Sequence, residues 1–400
     1  MAEIPPYPLY NRTYHLYRLS PLYHGASPLL NEKSLRSHAR HLKDQLKGDN
    51  VRGVEVDFAG TQGALPNLGP LEDCTWDLIG DEDAWIDRYH QLHEDPESSQ
   101  LSSRLSPDNV RGIQVTLEYE TQSYNALLLR DPTSTTSPEG FTSLPLLMLK
   151  MPAPLRQVVL NYLRTTFDAN VSPLRLAPAF LTSTLESYFR HWTSSQSAQS
   201  IQDVVRQLQL GLTFPQATTL LKHIDVTITG ADVPGFITRG RSERGTQDAP
   251  FTGALRQYLK KHLALDLAHP KVQIAKLSCG AFTLSTDRVK LNAPDLLSDI
   301  SITDSDVPEV SAGQLAVQEF YNALVKEATG TGKFLHEAAA LERESSTPSS
   351  THSGANPSGT RKRSVSTTAT KNANAKRSKS RGKENGNRGK EDQDLNMQIT

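Results

Sequence analysis

Between Asn109 and Asp131 the chain reads NVRGIQVTLEYETQSYNALLLRD, and no other stretch alternates so strictly. Ile113, Val115, Leu117 and Tyr119 share one parity, while Gln114, Thr116, Glu118 and Glu120 share the other. That is the period of a half-buried strand. Tyr124, Ala126 and Leu128 resume the alternation after a polar tetrapeptide, so the pair predicts an antiparallel hairpin with one wet face. A chain seeded by such a hairpin builds an antiparallel sheet and needs an apolar cover for one side of it.

The cover comes later. Leu155, Val158, Val159, Tyr162, Leu163 and Phe167 follow helical spacing, as do Leu181, Leu185, Tyr188, Phe189 and Trp192. Two amphipathic helices in succession pack on the inner face of the sheet. An earlier helix carries Leu35, Ala39, Leu42 and Leu46 and is expected to stop at Gly48, and a weaker one is expected over about residues 201–210. Strands are predicted at VRGVEVDF, at Cys74, Trp76 and Leu78, at Val226 and Ile228, and through KVQIAKLSCGAFTLSTDRVKL. In that last run the parity switches between Ile274 and Leu277, which predicts a β-bulge near Ala275 and Lys276. GFITRGRSERGTQD reads as a loop, and a closing helix carries Ala316, Phe320, Ala323 and Leu324. The fold class expected is α+β.

Apolar residues thin out abruptly near Leu341, so the body is residues 1–340, with 1–150 and 151–340 as its possible parts. Residues 341–400 read as a disordered basic tail. Residues 345–400 hold eleven Lys or Arg against four Asp or Glu, +7, which leaves −8 for residues 1–344 of a chain whose total is −1. A body of that sign suits a broad nucleic-acid groove poorly, although a local basic patch is compatible with it. The two cysteines, Cys74 and Cys279, are too few for a disulfide framework, and no run approaches the ~20 apolar residues of a membrane span. The expectation is a soluble, intracellular protein.

Taken together, YNRTYHLYRLSPLYHG, the VRG-led strand, CTWDLIGDEDAW, RGIQVTLEYETQSYNALLLRD, MPAPLRQVVLNYLRTTFDANVSPLRL and KLSCGAFTL resemble the fungal branch of the CENP-L family of inner-kinetochore subunits. The resemblance runs in blocks from about residue 9 to 292, and none of the blocks is a catalytic signature. It implies a curved, mostly antiparallel sheet with helices in its concavity, a nuclear and centromeric location, and a CENP-N-like partner paired through the C-terminal half. It also implies docking of other inner-kinetochore subunits onto CENP-A nucleosomes, with no enzyme activity and no cofactor. The strands of residues 271–291 are the candidate pairing edge, through Val272, Ile274, Leu277, Phe282 and Leu284, since an unpaired edge templates another chain's strand. Their alternative place is inside the sheet.

Arg361, Lys362 and Arg363, a Ser, Thr and Ala-rich spacer, then Lys376, Arg377, Lys379 and Arg381 have the form of a bipartite nuclear-import signal for importin. Basic-directed kinase sites at Ser364, Ser366, Ser378 and Ser380, and the tripeptide Lys383-Glu384-Asn385 of a mitotic degron, lie in the same tail. A second reading of the chain is a nuclear DNA-binding protein acting through that tail. A third takes Cys279 as a thiol nucleophile with His262 or His269 as base, but its apolar strand argues for a buried small hydrophobe. ATGTGKF at 328–334 lacks the spacing and the Ser or Thr of a phosphate loop. The pairs His38 with His41 and His90 with His93 lack a third metal ligand nearby.

Overall fold

The computed structural model describes residues 6–51, 69–87, 109–133, 137–194, 201–215, 221–243, 245–293 and 312–334. They belong to one compact unit, Met1–Thr347; the second unit, Pro348–Thr400, lies outside the described residues. So do most of the VRGVEVDF strand, His90, His93 and every tail motif.

The expected α+β class is what the structure has. Its strands are β1 (Thr13–Leu19), β2 (Leu22–Tyr23), β3 (Leu71–Ile79), β4 (Gly112–Tyr119), β5 (Ser123–Leu129), β6 (Phe141–Thr142), β7 (Leu146–Lys150) and β8 (Val171–Pro173). The later half adds β9 (Gln207–Thr213), β10 (His223–Thr229), β11 (Gln273–Ser278), β12 (Phe282–Ser285) and β13 (Arg288–Leu291). Ten of these form one continuous antiparallel order, β10-β9-β11-β12-β13-β1-β7-β5-β4-β3, with β8 joined to β1. β13 against β1 unites early and late chain in one sheet.

The helices are α1 (Glu32–Val51), α2 (Ala153–Phe167), α3 (Pro178–Ser194), α4 (Ile201–Val205), α5 (Val233–Ser242), α6 (Pro250–Leu263) and α7 (Ala312–Thr329). They cover both faces of the sheet, which corrects the expectation of one inner face for both successive helices: α2 packs on one face and α3 on the other. Leu127 and Leu129 of β5 face one core, with α3, α5, α6 and α7; Ala126 and Leu128 face the other, with α1 and α2. The hairpin of β4 and β5 is therefore wet along Gln114, Thr116 and Glu118 of β4 and at Ser123, where β5 begins. β5 is buried on both sides, as its ALLL run allows.

Three local expectations are corrected. α1 runs past Gly48 to Val51. The helix expected over 201–210 ends at Val205, because Leu208, Leu210 and Leu212 alternate with polar residues and enter the sheet as β9. The supposed loop at 235–248 begins inside α5, whose Val233, Phe236, Ile237 and Gly240 form a buried stripe. The predicted bulge is present: the register of β11 on β9 shifts between Ile274 and Lys276.

Candidate partner-binding edge

The strands expected to carry an open edge have none. β11 lies between β9 and β12, β12 between β11 and β13, and β13 between β12 and β1. Their backbone groups are committed on both sides. Ile274, Leu277, Phe282 and Leu284 are buried core residues, with Phe282 edge-on to Tyr188 at 5.2 Å, and Val272 is half-buried just before β11. The hairpin of β9 and β10 lies outside them in the sheet order.

β10 ends the sheet, and its backbone register fixes what it offers. The Phe214 N–H donates to the Lys222 carbonyl (3.4 Å), and the Gly230 N–H donates to the Arg206 carbonyl (2.7 Å). Both pairs lie on the β9–β10 register, in which His223 faces Thr213 and Thr229 faces Gln207. Hydrogen-bonded and non-hydrogen-bonded pairs alternate in an antiparallel ladder. Ile224, Val226 and Ile228 thus bond inward to β9, and His223, Asp225, Thr227 and Thr229 each turn an N–H and a C=O outward. Among the described residues no strand receives them.

The side chains follow the same parity. Those of His223, Asp225, Thr227 and Thr229 are exposed, while Ile228 is buried and Ile224 and Val226 pack half-buried against the core. Leu221, just ahead of the strand, is 46% exposed. The rim is about 20 Å long at the usual rise per residue. It has no proline and no bulge; Asp225 alone carries a fixed charge.

The other end of the sheet is dressed differently. β3 carries Glu72, Asp73 and Asp77, its register on β4 is irregular between Leu71 and Asp73, and Lys43 of α1 reaches Asp73 at 2.8 Å. Such features discourage strand addition. β10 is the more open end of the sheet.

The remaining candidates are accounted for structurally. Burial pushes the Cys279 thiol up to about 11, and its N–H donates to the Phe282 carbonyl. His262 stacks on Tyr258 and His269 Nδ1 accepts from the Lys271 N–H, so neither histidine serves Cys279. His38 lies 3.0 Å from the Tyr162 hydroxyl and against the Phe167 ring, and burial lowers its pKa. No group of three His, Cys, Asp or Glu suited to a metal occurs among the described residues. At ATGTGKF the Glu327 carboxylate accepts the Phe334 N–H (3.2 Å) and crowds Gly332, where a phosphate would need room.

With fold and rim in hand, comparison with known families is decisive. The family model for centromere protein L matches residues 8–329 of the 400. This chain belongs to the CENP-L family. The match ends at the last residue of α7 and so takes in the whole sheet. CENP-L proteins are structural subunits of the kinetochore, not a known enzyme family, and the family places this chain at the centromere, in the nucleus. A search of curated proteins finds no match. Sequence reasoning missed β10 as the rim, although its alternation of exposed polar and half-buried aliphatic residues was readable.

Proposed function

We propose that this CENP-L chain pairs edge to edge with a CENP-N-like subunit through β10, and so helps link CENP-A chromatin to other inner-kinetochore subunits. The observation that carries the reading is the outward row of backbone groups at His223, Asp225, Thr227 and Thr229. It lies in the C-terminal half, where the family resemblance put the pairing. The residues first singled out there, Val272, Ile274, Leu277, Phe282 and Leu284, act beneath the rim as the packed floor that keeps β9 and β10 in plane. Import by importin is assigned to Arg361, Lys362, Arg363, Lys376, Arg377, Lys379 and Arg381.

Proline at an outward position removes a rim donor without touching the β9 ladder, and proline is tolerated on edge strands. Thr227→Pro is expected to weaken co-purification with the CENP-N-like chain at least about tenfold, the effect of about 1.4 kcal/mol, while the free protein melts normally. Full retention of the complex by Thr227→Pro would sink edge pairing. Direct DNA binding through the tail is the competing reading, and it predicts that chromatin association is lost with the tail while pairing is irrelevant.

A further inference from the structure

We infer that the cleft on the outer side of α5 and α6 is a docking site for a short acidic segment of a partner protein. Their inner faces are spent on the core: Phe236 and Ile237 from α5, and Phe251, Leu255 and Leu259 from α6. Gly240 lets the two helices close, since a Cβ there would lie 1.8 Å from the Pro250 carbonyl oxygen. The outer sides leave an open cleft of about 670 Å³ between them. That is the size of a recess for a few side chains.

Its lining is cationic on balance, two cations against one carboxylate. Arg239 and Lys261 line it, and among the described residues no carboxylate lies within ion-pair distance of either. Their neighbours Arg256 and Lys260 are different, both held by Asp266 at 3.1 Å. The one carboxylate in the lining, Glu243, accepts a hydrogen bond from the Gln257 side-chain amide. Over residues 233–266 there are six Lys or Arg against three Asp or Glu, so +3 within a body of −8. An apolar ledge is exposed in the same lining. Tyr258 is 46% exposed, meets Phe236 edge-on at 5.5 Å and stacks on His262 at 4.4 Å; Arg239 sits over the Phe236 ring at 4.5 Å. Cations flanking a half-exposed aromatic fit carboxylates flanking an apolar side chain.

A duplex is the worse occupant. Its phosphates lie on a convex surface that cannot enter a recess, and the body as a whole carries net negative charge that opposes a polyanion. A short segment can reach Arg239 and Lys261 while its own carboxylates stay clear of Glu243. The site is separate from β10, so Thr227→Pro leaves it intact and the two readings fail independently.

The probe is a fluorescent peptide of alternating glutamate and leucine bearing a photo-cross-linker, presented to the full chain. Cross-links are expected within residues 238–262, with affinity falling at least tenfold in Arg239→Glu/Lys261→Glu and unchanged in Arg36→Glu/Arg40→Glu on α1. Ser242→Glu, on the exposed rim of the cleft, gives the same loss should the double variant fold poorly. Cross-links confined to the tail, no binding, equal affinity in the cleft variants, equal binding of a lysine-leucine peptide, or displacement by duplex DNA at lower concentration would each overturn the assignment.

Discussion

Glu186 shows how a single buried group is made tolerable. It lies on α3 facing the start of α6, where its Oε1 accepts the Thr252 N–H at 2.6 Å. Burial raises its pKa, and the hydrogen bonds from Thr252 and Phe251 only partly offset that. A carboxyl raised in the folded state binds a proton more readily than in the unfolded chain. Its cost is absent below the unfolded value near 4.5 and is fully present above the raised folded value. Glu186→Gln keeps the acceptor and removes the charge, so its melting temperature is expected to equal or exceed the parent's at neutral pH, the difference vanishing in acid. Glu186→Ala leaves the N–H unanswered and is expected to cost about 1–3 kcal/mol by denaturant titration. The cysteines give a second test at this scale. With Cys279 buried and its thiol pushed up to about 11, and Cys74 pushed up to about 12, thiol reagents are expected to label both only as fast as the body unfolds. Fast labelling of Cys279 in the folded protein would reopen the nucleophile reading.

The elements divide by whether their signal is local. The hairpin of β4 and β5, helices α2, α3 and α7, and the bulge in β11 were legible because each is announced by its own period or by a break in it. α5 was not, because Gly235, Gly240 and Gly245 in GFITRGRSERGTQD argue against a helix by propensity. Gly240 is there for close approach to Pro250, a fact only the packed structure reveals. Gly240→Ala is accordingly expected to destabilise the body by about 1–3 kcal/mol or more through overpacking, read from the melting curve. The open end of the sheet was not legible for a related reason. Sequence shows that β11, β12 and β13 are strands, but which strand ends a sheet depends on non-local pairing. A paired comparison belongs at this scale: Val226→Pro removes an inward N–H from the β9 ladder and is expected to lower both stability and partner binding, whereas Thr227→Pro lowers binding alone.

At the scale of the whole molecule, α7 ties late chain to early chain. Arg111, just ahead of β4, stacks on Tyr321 at 3.8 Å and bonds Gln318 at 2.9 Å, while Tyr321 donates to the Arg130 carbonyl at 2.8 Å. Phe320 packs on Phe180 of α3. Just past α7, Phe334 still packs edge-on against Phe180, and the family match ends with α7, so the tail from residue 345 on lies outside it. The basic tail is therefore free to serve another purpose, and its deletion separates the two readings of the chain. Removing residues 345–400 takes away +7 and both basic clusters proposed for import. When a nuclear-import signal is grafted on in their place, the scaffold reading expects the melting temperature, the complex with the CENP-N-like chain in ~0.5 M salt and the centromeric foci all to survive. Strand pairing and apolar contacts are screened far less than charge contacts, so high salt discriminates in the same direction. Foci that vanish although the grafted protein is nuclear and still paired would transfer the centromeric role to the tail, whose cations can bind phosphate.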